Sequence, residues 1–141
     1  MMTVNQLIAK YPKIFISEYA VNYDIPDAWI QLVDDLCCAI QNHVDRFKRY
    51  DANGVHAVEQ VICKQMKEKF GELRFYYENG NEYISGMVNL ATSISYNMCI
   101  ECSSRENLGR TKGWVTTMCK SCAKNNSTWQ SFEKLNGKLE E

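Results

Sequence analysis

The chain lacks any stretch near the roughly 20 consecutive apolar residues that a membrane-spanning helix requires; its apolar runs are short, as in Ile14-Phe15-Ile16. No membrane partner is therefore expected. The first residues carry no basic region followed by an apolar core, so no export signal is expected either. An excess of one charge is also missing. Sixteen Lys and Arg face 17 Asp and Glu for a net charge of -1, which excludes a polybasic coat but leaves room for a local basic patch. Histidine is scarce, with only 2 in the chain. His43 falls on the polar side of an expected helix and His56 in a turn, and neither lies near a cysteine pair in sequence. G-x-S-x-G, Walker, H-E-x-x-H and zinc-deaminase signatures are all absent. Asp34 and Asp35 are vicinal, and neighbours on a helix do not face each other. The expectation is a protein that is not an enzyme.

What the chain does have is an ordinary globular composition, 45% hydrophobic and 23% charged. At 141 residues it suits one domain, or one domain with a small appendage. It is also rich in cysteine, with 7: Cys37, Cys38, Cys63, Cys99, Cys102, Cys119 and Cys122. An odd number without an export signal argues against a disulfide framework and for the reducing cytoplasm. There, cysteines serve as metal ligands or as small buried apolar groups. Cys37, Cys38 and Cys63 are assigned the second role.

The other four form two C-x2-C pairs, Cys99-Ile100-Glu101-Cys102 and Cys119-Lys120-Ser121-Cys122, separated by 16 residues. This is zinc-site spacing. Each pair places two sulfurs on one ion, and the loop between lets the pairs converge into a tetrahedron. Thiolates are soft ligands, so structural Zn2+ is expected, with an iron–sulfur cluster as the chemical rival and a redox-switched thiol site behind it. Four protein ligands leave no open position for water, so such a metal organises structure rather than performing a reaction. Residues 99–122 hold few large apolar groups (Ile100, Leu108, Trp114, Val115 and Met118) and need that organisation.

Hydrophobic periodicity supplies the remaining elements. Thr3 and Gln6 fit a capping box, and Pro12 ends the short helix they start. Residues 13–25 give no clear period, and Lys13 to Tyr19 reads as extended. Ile30, Val33, Cys37, Ile40, Val44 and Phe47, flanked by Trp29 and Leu36, mark a long helix from Pro26-Asp27, with Pro26 suited to a first helical position. Arg46, Lys48 and Arg49 complement its dipole, and Asp51-Ala52-Asn53-Gly54 breaks it. Leu73, Phe75 and Tyr77 alternate as a strand. Residues 59–67 fit either period, and a strand antiparallel to 73–77 is favoured, with Val61, Cys63 and Gln65 on one face. Lys67 to Gly71 makes the reversal. After the Asn79-Gly80-Asn81 turn, Ile84, Met87, Val88, Ala91, Ile94 and Met98 mark a second helix that leads to Cys99. Ser127 with Gln130 is a further capping-box match, and Trp129, Phe132, Leu135 and Leu139 predict a last helix that frays over 138–141.

Two segments are candidates for contact with a partner. The ribbon loop from Ser103 to Lys124 carries five bases, Arg105, Arg110, Lys112, Lys120 and Lys124, against one acid, Glu106. With Trp114 this is compatible with nucleic-acid contact. The plainer reading packs Trp114 against the knuckles and leaves the charges in solvent. In Lys64 to Gly71 with Arg74 and Tyr76, the bases Lys67, Lys69 and Arg74 are interleaved with Glu68 and Glu72, which favours an edge hairpin of alternating charge.

The stretch Lys67-Glu68-Lys69-Phe70-Gly71-Glu72-Leu73-Arg74-Phe75-Tyr76, followed by Cys99/Cys102, Gly113-Trp114 and Cys119/Cys122, resembles small uncharacterised bacteriophage and prophage proteins with a K-E-K-F-G-x-L-R-F-Y segment and a C-x2-C, G-W, C-x2-C ribbon. Trp29 and Leu36-Cys37 look like that group's upstream aromatic-led helix, so the likeness spans residues 26–123. Ser103 stands where the group has glycine, and Leu108-Gly109 where it has Pro-Gly. The resemblance implies origin and architecture, not a mechanism.

The expected fold is α+β, with helices over 27–49 and 82–97 covering a small antiparallel sheet that contains 73–77. The expected units are an α+β domain (1–98), a four-cysteine ribbon (99–124) and a C-terminal helix and tail (125–141), with Trp129 and Phe132 bracing the ribbon. The expected function is a cytoplasmic interaction protein, a phage-type accessory factor binding a host protein. The alternative is a nucleic-acid binder using Arg105, Arg110, Lys112, Trp114 and Lys120.

Overall fold

The computed structural model describes residues 1–47, 57–133 and 135. The expectations placed on Lys48, Arg49, Asp51 to Gly54, His56 and Leu139, and the fraying over 138–141, lie outside the described residues. Helix α1 spans Val4–Lys10 and starts on a complete capping box: Thr3 Oγ1 accepts from the Gln6 N–H, and Gln6 Oε1 accepts from the Thr3 N–H. The segment expected to be extended folds differently. Tyr11 and Ile14 turn the chain, and Ser17–Asn22 form a 3-10 helix. Ile14 and Phe15 enter the core here, and the Ile14 carbonyl accepts the Cys63 N–H at 2.8 Å.

Pro26 is the cap before a 3-10 turn, Asp27–Trp29, rather than a first helical residue. Helix α2, Ile30–Phe47, follows directly. Its stripe is buried as the spacing predicts, with Trp29, Val33, Cys37 and Ile40 fully inaccessible. Burying each large apolar side chain contributes about 1.5–3 kcal/mol. Asp34 is buried on the same helix beside that stripe. It is tolerated because Tyr11 donates its hydroxyl to Asp34 Oδ1 at 2.5 Å and Lys10 Nζ lies 2.9 Å from the same oxygen. Asp35 instead accepts from Gln31 on the outer face.

Strand β1, Ile62–Lys69, pairs antiparallel with β2, Glu72–Glu78. The double periodicity of 59–67 has a structural cause. The register slips between Cys63 and Gln65, so Val61 and Cys63 face inward, and after the bulge Met66 does so in place of Gln65. The reversal is tighter than expected. Phe70 and Gly71 alone make it, with φ of 54° and 81°, the left-handed pair that matches strand twist. Lys64–Glu78 and Arg74–Glu72 ion pairs lace the hairpin.

Helix α3, Glu82–Tyr96, is capped by Asn81, whose side chain accepts from the Ile84 N–H. It lies against β2, and α2 lies against α3. One core joins both helices, the hairpin and the N-terminal turns. Ser95, which the apolar pattern passes over, is fully buried and accepts the Leu73 N–H at 2.8 Å. The predicted α+β class holds.

Candidate metal centre

The C-terminal part is built so that two knuckles meet. Asn97 caps α3 and the chain reaches Cys99 two residues later. The first knuckle closes when the Ser103 N–H donates to the Cys99 carbonyl at 2.9 Å. Strands β3, Leu108–Arg110, and β4, Thr117–Cys119, then form an antiparallel hairpin. β4 ends on a ligand position and runs into α4, Lys120–Ala123, which carries Cys122. The Ile100 N–H donates to the Thr117 carbonyl at 2.9 Å and holds the two knuckles together.

The four sulfurs of Cys99, Cys102, Cys119 and Cys122 all lie within 4.8 Å of one another, and those of Cys102 and Cys119 are 3.8 Å apart. Four thiolates about 2.3 Å from one tetrahedral ion sit about 3.8 Å apart. The cluster therefore fits a single ion. Among the described residues no other group of His, Cys, Asp or Glu converges in this way.

The electrostatics explain why these thiols call for a cation. Burial opposes ionisation of Cys99, yet the backbone N–H groups of Cys119, Cys102 and Glu101 and the Cys122 side chain outweigh it and bring its pKa down to about 7. Cys122 moves the other way, pushed well up by the neighbouring Cys119 and Cys102. Cys99 is thus favoured as a thiolate, whereas Cys102 and Cys122 are held as thiols by the neighbouring sulfurs. A divalent cation removes that penalty and deprotonates coordinating thiols outright.

Ser103 has φ of 67°, the left-handed conformation that costs a side-chain-bearing residue about 1–2 kcal/mol. Glycine would avoid the cost. Serine offsets it by donating Oγ–H to the Ala28 carbonyl at 2.7 Å, which ties the first knuckle to the 3-10 turn that leads into α2.

The five predicted contact residues do not line one cleft. Arg105 and Lys120 border a cavity of about 520 Å³ with Trp129 and Phe132. Arg110 is turned inward. Its Nη2 donates to the Phe70 carbonyl at 3.0 Å and its guanidinium stacks on Tyr96. Lys112 and Trp114 stand at the hairpin tip. Trp114 does not pack against the knuckles, as the plainer reading had it; it is 81% exposed. Trp129 takes that place. Its ring covers Gly109 and its Nε1–H donates to the Met118 carbonyl at 2.9 Å.

The segment expected to open a last helix at Ser127 first supplies strand β5, Gln130–Ser131, on the free side of β3, and the expected helix begins only at Phe132. The sheet order is β4-β3-β5. The Ser127 box does not form because Gln130 pairs with Arg110 in the sheet; in the preceding turn Asn126 Oδ1 accepts from both the N–H and the hydroxyl of Thr128. Phe132 does brace the ribbon, stacked on Tyr96 at 6.1 Å.

Cys37 and Cys63 are buried, and burial raises both thiols, Cys63 to about 12. Cys38, expected to share that role, is exposed and accepts a hydrogen bond from Asn42 Nδ2. His43 packs between helices, stacked on Tyr83 at 4.3 Å and bonded to Asn81. Tyr76 is exposed on β2, apart from the ribbon cavities.

Sequence reasoning missed two contributors to the exposed surface. Phe70 is 64% exposed and shares a cavity of about 220 Å³ with Trp114. Residues 24–28 border Trp114 on its other side. A phenylalanine at the tip of a polar hairpin was the one available signal. No described helix is long and apolar enough to cross a membrane. Comparison with family models, curated proteins and solved structures gave no match.

Proposed function

We propose that the protein is a non-enzymatic interaction module whose ribbon is held by one structural zinc ion and whose Trp114 surface binds a partner protein. In keeping with the bacteriophage resemblance, the partner is a host protein met in the cytoplasm, and the chain acts as an accessory factor. Cys99, Cys102, Cys119 and Cys122 hold the metal, which supplies rigidity. Zinc suits four thiolates around one ion, whereas an iron–sulfur cluster needs inorganic sulfide between its irons.

The observation that carries the reading is the exposure of Trp114. A tryptophan left 81% accessible on a hairpin braced from behind is a characteristic anchor of protein interfaces. Phe70 and the neighbouring clefts extend the apolar area. The nucleic-acid alternative draws less support, because Arg110 is engaged internally and Arg105 and Lys120 border a different cleft from Trp114.

Affinity capture from host lysate with the full chain tests this, run with and without nuclease and with Trp114→Ala beside wild type. A protein retained after nuclease and lost with Trp114→Ala supports the proposal. Loss of everything on nuclease treatment, or capture indifferent to Trp114, overturns it. Metal analysis of the purified chain should give one zinc per chain.

A further inference from the structure

We infer that the groove beside Trp114 receives an extended, lysine- or arginine-bearing segment of a partner protein. This rests on the interaction-module reading and gives the partner its chemistry. Two adjoining cavities of about 520 and 320 Å³ share Pro26, Ile100 and Trp114 as walls. Together they form a trough between residues 24–28, the first knuckle and the ribbon hairpin, with Met118 and Ile25 adding apolar surface.

The rim is charged on one side of the balance. Asp24, Asp27, Glu68 and Glu101 border the trough against the single base Lys67. Asp24, Asp27 and Glu101 are exposed and make no ion pair among the described residues. This is an acidic trough on a chain whose net charge is only -1, and it lies where the basic ribbon loop led one to expect the reverse.

Three classes of occupant can be weighed on chemistry. Phosphate backbones are disfavoured by four carboxylates. A divalent cation needs convergent oxygens, and among the described residues only the four cysteines converge. A cationic peptide meets both features at once. Its ammonium or guanidinium groups pair with the rim and stack on the Trp114 face, while its apolar residues lie on Pro26, Ile100 and Met118.

The test uses the zinc-loaded full chain and three probes: a short peptide alternating arginine with leucine, one alternating glutamate with leucine, and single-stranded oligothymidylate. Binding is followed by Trp114 fluorescence and checked by calorimetry. The arginine peptide should bind, weakening as salt is raised. Affinity should fall about tenfold or more in the double variant Asp24→Asn/Glu101→Gln and in Trp114→Ala, with zinc content and circular dichroism unchanged. Equal binding of both peptides, preference for the oligonucleotide, or an unaffected double variant overturns the inference. Lysate capture separates the two readings. If the double variant captures the same protein as wild type while Trp114→Ala loses it, the module stands and the cationic segment falls. If neither variant matters, both fall.

Discussion

The guanidinium carbon of Arg110 lies 3.7 Å above the centre of the Tyr96 ring. Its Nη2 reaches the Phe70 carbonyl, so one ribbon side chain joins β3, the end of α3 and the β1–β2 turn. Arg110→Ala should lower stability by roughly 2–3 kcal/mol, from the lost stacking and charge-assisted hydrogen bond. Arg110→Lys should recover only part, since a compact ammonium lacks the planar fork. Urea unfolding of the three proteins checks the order, and none should lose its metal.

Cys38 and Cys102 are both exposed cysteines with opposite roles. Cys102→Ala should abolish stoichiometric zinc and unfold the ribbon, since structural zinc contributes about 10–16 kcal/mol in small finger peptides. Cys38→Ala should leave both unchanged. Metal analysis and amide exchange over 99–131 distinguish them.

At Ser103 the backbone angle and the side-chain bond pull in opposite directions. Ser103→Ala keeps the left-handed strain and loses the bond to Ala28, so it should cost about 1 kcal/mol. Ser103→Gly loses the same bond but relieves the strain, and should come out near wild type. Thermal unfolding that ranks alanine at or above glycine would refute this balance.

Gly109 is required by contact. A Cβ there would lie 2.5 Å from Trp129 Cε2 and also against the Gln130 carbonyl. Gly109→Ala should destabilise the ribbon by about 1–3 kcal/mol and expose Trp129, which a red shift of its fluorescence reports. Adding Trp129→Leu should reverse part of the loss.

The Asp34 carboxyl is held below its ordinary range by the Tyr11 hydroxyl and then by Lys10, against the opposing effect of burial. The folded protein thus binds this proton more weakly than the unfolded chain. Its stabilising effect is complete above the unfolded value of about 3.9 and is lost as pH falls through the folded one. Asp34→Asn should be less stable than wild type at neutral pH, and the gap should narrow in acid. Denaturant midpoints across that range measure it; comparing the two proteins cancels the common effect of acid on the zinc thiolates.

The parts legible in the sequence were those written in local spacing. The α2 stripe, the Thr3–Gln6 box, the Leu73–Phe75–Tyr77 alternation and the two cysteine pairs each depend on residues a few positions apart. The illegible parts depend on partners far along the chain. The bulge at Cys63–Gln65 is a register choice made against β2, and it blurred strand and helix periods. Asp34 is buried because Tyr11 reaches it. Trp129 braces the ribbon as expected, because β5 pairs with β3 and brings it over Gly109, whereas Trp114, which the plainer reading packed against the knuckles, is left outside. The metal cluster was legible, whereas the trough was not, because residues 24–28 meet the ribbon only in the folded chain.

The indole of Trp129 is fastened to the carbonyl of Met118, the residue immediately before the ligand Cys119. An ion held by the four sulfurs would thus be retained partly through a side chain that never touches it. Clipping the chain ahead of Trp129 should leave all four cysteines in the chain and yet let a chelator strip a bound zinc ion faster than from the intact protein.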